Sequence, residues 1–260
     1  MMTNNTDNIF NGLYAQSYNA FYDKKDYSGE CDIIENFLNN YATSKTHNIL
    51  DAGCGTGNHS IILTKRGYNM VGVDKSQTMI NNAQNFASEL NFDIDFVQSD
   101  LRNLKLGKKF NACISMFAVL SYMISDTDVN NYLKSIRQHL LPGSLFIFDF
   151  WYGPGVINIS PSMRVKLIEQ NESEIYRLAN PIINQNDHTC KIKFIVIQVK
   201  NTQVQDSQIE VHNCRYFFED ELKSFFHKNK FELKSLHSFP NISTKPNKNT
   251  WNALGIAIAI

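Results

Sequence analysis

Residues 48–57, Asn48-Ile49-Leu50-Asp51-Ala52-Gly53-Cys54-Gly55-Thr56-Gly57, read as a buried strand running into a turn with glycine at alternate positions and an acid at the strand's end. Glycine there lets the backbone pass against a ligand, because a Cβ would occupy ligand volume and part of the turn needs φ > 0. The turn feeds a helix whose free N–H groups can bind a carboxylate or a phosphate. Together these features read as a nucleotide-type cofactor turn. Residue order then narrows the choice. A dinucleotide fingerprint spaces its glycines G-x-G-x-x-G, whereas this turn is Asp-Ala-Gly-Cys-Gly-Thr-Gly, with the acid two residues before the first glycine. No lysine follows where a P-loop requires one.

Downstream acids extend the pattern. Tyr68-Asn69-Met70-Val71-Gly72-Val73-Asp74 reads as a second strand whose terminal carboxylate can hold ribose hydroxyls, and Ile94 to Asp100 reads as a third. The turn and its acids resemble motif I, (D/E)-x-G-x-G-x-G, and the later motifs of class I S-adenosylmethionine-dependent methyltransferases. That resemblance implies S-adenosyl-L-methionine as cofactor, with Asp100 near the adenine amino group. It implies an α/β, Rossmann-like sheet of seven mostly parallel strands in the order 3-2-1-4-5-7-6, with an antiparallel β insertion after strand 5. The cofactor contacts it implies are Tyr22, Tyr27, Asp51, Ala52, Gly53, Cys54, Gly55, Gly57, Asp74, Lys75, Met79, Asp100, Leu101 and Met116. Tyr22 and Tyr27 match positions that close over the cofactor, where aromatic faces stabilise a desolvated sulfonium by up to about 2 kcal/mol.

A chain of 260 residues, 43% hydrophobic, can bury a full core in one α/β domain. Its 25 basic and 25 acidic side chains cancel, which leaves no field to attract a phosphate backbone, so nucleic acid is not an expected partner. Cys31, Cys54, Cys113, Cys190 and Cys214 include no C-x-x-C pair, so reduced thiols in a cytoplasmic protein are expected, with neither disulfide nor zinc. The opening Met-Met-Thr-Asn-Asn-Thr lacks the regions of a signal peptide, and no apolar run reaches membrane-spanning length.

Periodicity gives a helix over 28–42, then β-α alternation to about residue 150. Phe110–Met116 reads as a fourth strand, 126–140 as a helix, Leu141-Pro142-Gly143 as a turn and Leu145–Phe150 as a fully buried fifth strand. Arg164–Gln170, Glu174–Leu178, Lys191–Lys200 and Gln208–Phe217 read as antiparallel strands. Helical spacing returns at Glu219–Asn229, before strands Phe231–Phe239 and Trp251–Ile260. The expected divisions are N-terminal lid helices over 1–47, a cofactor-binding core over 48–155, an insertion over 156–218 and the end of the core over 219–260.

Within the superfamily, the first 155 residues or so are similar to N-methyltransferases of nucleotide-linked amino sugars. The matching stretches are Tyr18 to Tyr22 with Lys25-Asp26-Tyr27, Leu50 to His59, Asp100 to Phe110, Ser115-Met116-Phe117 to Tyr122, His139 to Gly143, and Trp151, with a fainter match at Val211-His212. This implies a small-molecule acceptor near Phe117, Tyr122, Trp151, Arg177 and Arg215, with Asp149 and His212 as candidate catalytic groups, and a homodimer joined through the insertion. Phosphate recognition is expected from among Arg164, Lys166, Arg177, Lys191, Lys193 and Arg215. The chain departs from the pattern at Asp149-Phe150-Trp151, where similar enzymes carry Glu before Pro-Trp. Methylation of another small amine or a hydroxyl, and cofactor binding without turnover, are the alternative functions.

Overall fold

The computed structural model describes residues 9–41 and 46–260; the opening Met-Met-Thr-Asn-Asn-Thr lies outside them. Three helices come first, α1 (Gly12–Gln16), α2 (Tyr18–Phe21) and α3 (Tyr27–Tyr41). The alternating segment is β1 (Asn48–Ala52), α4 (Asn58–Lys65), β2 (Asn69–Asp74), α5 (Gln77–Glu89), β3 (Asp95–Gln98), β4 (Phe110–Ser115), α6 (Asp126–Gln138) and β5 (Leu140–Trp151). After α7 (Gly153–Ile159) come β6 (Arg164–Gln170), β7 (Ser173–Asn184), β8 (Thr189–Lys200) and β9 (Gln203–Arg215), then α8 (Glu219–Lys228), β10 (Phe231–Phe239) and β11 (Asn252–Ala259). The main sheet runs β3-β2-β1-β4-β5-β11-β10, parallel from β3 to β5 and antiparallel at β11, which is the implied order.

Alternation along the central strands sorts the core into two layers, because successive side chains point to opposite faces. Leu50, Cys113, Phe146 and Phe148 meet Leu133 and Ile136 of α6 and Phe226 of α8. Ile49, Ile114, Leu145 and Ile147 meet Ile34 and Leu38 of α3 and Leu63 of α4. Each large apolar side chain fully buried in this way contributes about 1.5–3 kcal/mol. Helix α6 starts where it does because Ser125 and Asp128 form a reciprocal capping box.

The second sheet, β6-β7-β8-β9, is antiparallel, and its inner-face residues Ile168, Ile175, Phe194 and Val196 pack on Leu13, Tyr14 and Phe21 of the N-terminal helices. Strand β6 spans the expected residues, whereas β7, β8 and β9 begin earlier than periodicity indicates and β7 runs on past Leu178 to Asn184. Pro181 is accommodated inside β7 because β6 reaches only as far as Ala179, so on that side Pro181 lies on an edge where no N–H is needed. Leu141-Pro142-Gly143, expected as a turn, belongs to β5. It lies within a register shift, where β4 advances from Phe110 to Ala112 while β5 advances from Leu140 to Leu145. Helix α7 was not apparent in Gly153-Pro154-Gly155, where Pro154 sits in the first turn of a helix, a position proline tolerates. Among the described residues no helix is long and apolar enough to cross a membrane.

Candidate functional site

The carboxyl ends of β1, β2 and β4 open into a cavity of about 980 Å³, walled on its other sides by the N-terminal segment and by residues of β8 and β9. Ligands of open α/β sheets bind at this end of the strands. The N-terminal wall is tied to both neighbours. Phe10 and Asn11 donate their amides to the Glu210 carboxylate at 3.0 and 3.1 Å, and Tyr14 donates its amide to Gln208 at 3.0 Å. On the other side the Ser76 hydroxyl donates to the Phe10 carbonyl at 2.7 Å.

The glycine turn is hung on β2. The amides of Gly53 and Cys54 donate to the Val73 carbonyl at 2.7 and 2.9 Å. The Asp74 carboxylate accepts from the Gly55 amide at 3.0 Å and the Ser76 amide at 2.8 Å, while it also lines the cavity. Burial pushes the Asp74 carboxyl up from its ordinary range, against the opposing pull of these amides. Gly55 has φ +54, and a Cβ built there meets no atom within 4 Å, so the turn leaves open space where it lines the cavity. Gly53, at φ +87, instead lies so close to Val119 that a Cβ would come within 2.4 Å of its Cγ2.

Of the residues expected at the cofactor, Tyr22, Gly53, Gly55, Asp74, Lys75, Met79, Asp100, Leu101 and Met116 line the cavity. Asp100 is held by Arg102, whose Nε lies 3.0 Å away, and those bonds keep its carboxyl below the usual carboxylate range. Arg102 continues to Asp128 at 2.8 Å. Asp51, Ala52, Cys54, Gly57 and Tyr27 do not line it. Asp51 is buried and accepts from the Ser60 hydroxyl at 2.7 Å, which ties the strand end to the first turn of α4. Tyr27 packs edge-on against His59, whose Nε2 lies 2.8 Å from Glu30.

Of the residues expected at the acceptor, Phe117, Tyr122 and Trp151 line the cavity, whereas Arg177 and Arg215 are not brought to it. Arg177 donates to the Tyr22 hydroxyl at 2.9 Å from behind and stacks over Phe21. Arg215 is paired with Asp126 at 2.7 Å and Glu221 at 2.9 Å. Lys166 donates to the Phe21 carbonyl. Lys191 and Lys193 are exposed and alternate along β8 with the cavity residues Ile192 and Phe194. The cations that do line the cavity are Lys75 and Arg102.

Asp149 and His212 lie one layer behind the cavity wall. Asp149 is 1% exposed, burial pushes its carboxyl up to about 6, and its Oδ1 accepts from the Ala118 amide at 2.8 Å. That bond holds Phe117 and Ala118 at φ 74 and 58, a left-handed pair that non-glycine residues adopt at a cost. His212 Nδ1 is 2.9 Å from the Tyr122 hydroxyl, and its Nε2 is 2.9 Å from Glu210. Sequence reasoning did not single out Glu210. The available signal was the polar alternation Gln208, Glu210, His212 on one face of a strand.

Residues 49–143 match the Methyltransferase domain family. The chain is 24% identical over 221 residues to a dTDP-3-amino-3,4,6-trideoxy-alpha-D-glucopyranose N,N-dimethyltransferase of Streptomyces venezuelae, covering 84% of this chain and 86% of that one. In fold it is similar to an S-adenosylmethionine-dependent methyltransferase from Clostridium acetobutylicum, with TM-score 0.79, 21% identity, and 94% of this chain and 98% of that one covered. It is also similar in fold to a sugar N-methyltransferase from Streptoalloteichus, with TM-score 0.80, 16% identity, and 97% and 94% covered. The glycine turn and the acids that follow it thus belong to a methyltransferase domain, carried on a fold shared with S-adenosylmethionine-dependent methyltransferases and served by that cofactor.

Proposed function

We propose that this enzyme methylates an amine of a small molecule, and that the amine is carried by a nucleotide-linked sugar. The observation that carries this reading is the similarity to a dTDP-amino-sugar N,N-dimethyltransferase, which extends over most of both chains rather than over the cofactor motifs alone. The cavity fits the cofactor. Gly55 leaves room for it, the Asp74 carboxylate suits ribose hydroxyls, and the rings of Tyr18, Tyr22 and Phe117 suit a sulfonium. S-adenosyl-L-methionine supplies a methyl group on a sulfonium. The protein's part is to hold the acceptor nitrogen in line, roughly 3–3.5 Å from that carbon, and to keep it unprotonated. A free alkylammonium with a pKa near 10.4 would need about 4–5 kcal/mol to lose its proton at neutrality, and a dry cavity beside a sulfonium lowers that cost.

The engagement of Arg177 and Arg215 inside the protein favours a second reading, a small amine without phosphates. A methyl-transfer assay compares a dTDP-amino sugar with the same free amino sugar. The nucleotide reading expects kcat/KM to be about 100-fold higher for the conjugate, because remote contacts position the reacting amine. Equal efficiencies would hand the function to the second reading.

We further infer a homodimer formed through the outer face of the second sheet. Val165, Leu178, Ile195 and Ile209 stand in one register row across its four strands, with Leu167, Tyr176 and Ile197 beside them. Val165 and Ile209 are 62% and 57% exposed, and an apolar patch of this kind marks an interaction surface. Lys191 and Lys193 flank one end of the patch, Glu169 and Glu174 the other. A two-fold partner with reversed strands therefore opposes unlike charges. Light scattering at micromolar concentration should give a dimer, and Ile195→Glu should give a monomer. A strictly monomeric wild-type protein removes the claim.

A further inference from the structure

Glu210 stands on β9 with 4% exposure, and four donors converge on it: the amides of Phe10 and Asn11, the Gln208 Nε2 at 3.0 Å and the His212 Nε2 at 2.9 Å. An ionised carboxylate only accepts, so it satisfies all four, and it requires the proton of His212 to sit on Nε2. Nδ1 is then a bare acceptor. The Tyr122 hydroxyl, 2.9 Å from it, must donate its single proton there. Tyr122 lies in the 3-10 turn Val119–Tyr122 after β4 and lines the cavity. With its proton turned away toward His212, its oxygen offers the cavity lone pairs only. The imidazole is boxed by the rings of Phe10 at 4.9 Å and Phe194 at 4.8 Å, and it is 1% exposed, so protein groups rather than water set the direction of the chain.

We propose that Glu210, His212 and Tyr122 form a polarised hydrogen-bond chain. It makes Tyr122 an acceptor for an N–H of the amine being methylated, and it takes up the proton that amine gives off. This rests on the amine reading above. Holding the nitrogen by one N–H leaves its lone pair free to be aimed along the transfer line. Once methylated, the nitrogen is an ammonium. Its N–H bond breaks and the proton forms an O–H bond on Tyr122, as the original Tyr122 proton passes to Nδ1 of His212. The amine leaves neutral, and the positive charge rests on an imidazolium held by the Glu210 carboxylate until solvent takes the proton. Tyr122 is the catalytic residue, and His212 and Glu210 are positioning residues. Glu210 also fixes the Phe10–Asn11 wall, so the closing of the cavity and the direction of the chain depend on one carboxylate. Asp149 is less well placed for this task, since its Oδ1 is used at the Ala118 amide and it does not line the cavity.

The first test needs no acceptor. Imidazole nitrogen NMR of the ligand-free protein should show His212 protonated at Nε2 and bare at Nδ1; a proton on Nδ1 overturns the proposal. The second uses dTDP-3-amino-3,6-dideoxy-α-D-glucopyranose as the probe. Tyr122→Phe should lower kcat by about 100-fold, while S-adenosylmethionine affinity by calorimetry stays that of the wild type and the protein stays folded, its melting temperature a few degrees lower because the buried Nδ1 of His212 loses its donor. Unchanged kcat overturns the proposal. If the wild type leaves the probe unmethylated, the acceptor reading falls, and the imidazole spectrum alone decides the direction of the chain.

Discussion

Gly55→Val should abolish measurable S-adenosylmethionine binding in a protein that still folds. The two halves of this outcome have separate causes. Gly55 lines the cavity, and a Cβ there meets no protein atom within 4 Å, so a valine side chain is directed into ligand space. Its φ of +54 costs an L residue about 1–2 kcal/mol, somewhat more for a β-branched one. Against a typical stability of about 5–15 kcal/mol that loss is tolerable. In a chain of this size it should lower the melting temperature by roughly 2–4 °C per kcal/mol. Gly53→Val makes the contrast, since its side chain would collide with Val119, and there the fold itself should suffer. Calorimetry and a thermal melt on each variant separate the cases. A folded Gly55→Val protein with wild-type affinity would show that the turn does not carry the cofactor.

The turn was legible in the sequence because its information is local. The acid, the glycines and the helix start lie within ten residues of one another, and each strand-end acid is announced by the apolar run before it. The order of the main sheet is what the family resemblance carried by these motifs implies. What stayed hidden depends on partners distant in the chain. Pro181 breaks a strand only where a neighbouring strand needs its N–H; β8 pairs with it on one side, and on the other β6 stops two residues short. Arg215 looked available for a phosphate until Asp126, 89 residues earlier, was seen to hold it. Glu210 gained its importance from Phe10 and Asn11, about 200 positions away, whose amides no side-chain pattern advertises. Tyr14, Tyr18 and Tyr22 stand out in the sequence of the N-terminal segment. The hydrogen bonds that fasten this segment to β9 and to the start of α5 do not, since they run through backbone groups that every sequence has.

Asp74→Ala should weaken S-adenosylmethionine binding by about 1.5–3 kcal/mol, the loss expected for charge-assisted hydrogen bonds, whereas Asp95→Ala should leave it unchanged. Both acids belong to neighbouring strands, but they sit at opposite ends. Asp74 closes β2 and faces the cavity, while Asp95 opens β3, away from it, paired on the surface with Lys108 at 2.8 Å. Part of the Asp74 effect comes through the turn, because its carboxylate also accepts from the amides of Gly55 and Ser76. Asp74→Asn divides the two contributions. Its amide oxygen can still accept one of these bonds, so the turn is partly kept, but the charge that strengthens a bond to a ribose hydroxyl is gone. Affinity should therefore fall in the order wild type, Asp74→Asn, Asp74→Ala, with melting temperatures following the turn bonds rather than the charge. Equal affinities for Asp74→Ala and Asp95→Ala would sink the assignment, since a carboxylate at the end of β2 would then contribute no more to the cofactor than a solvated one at the start of β3.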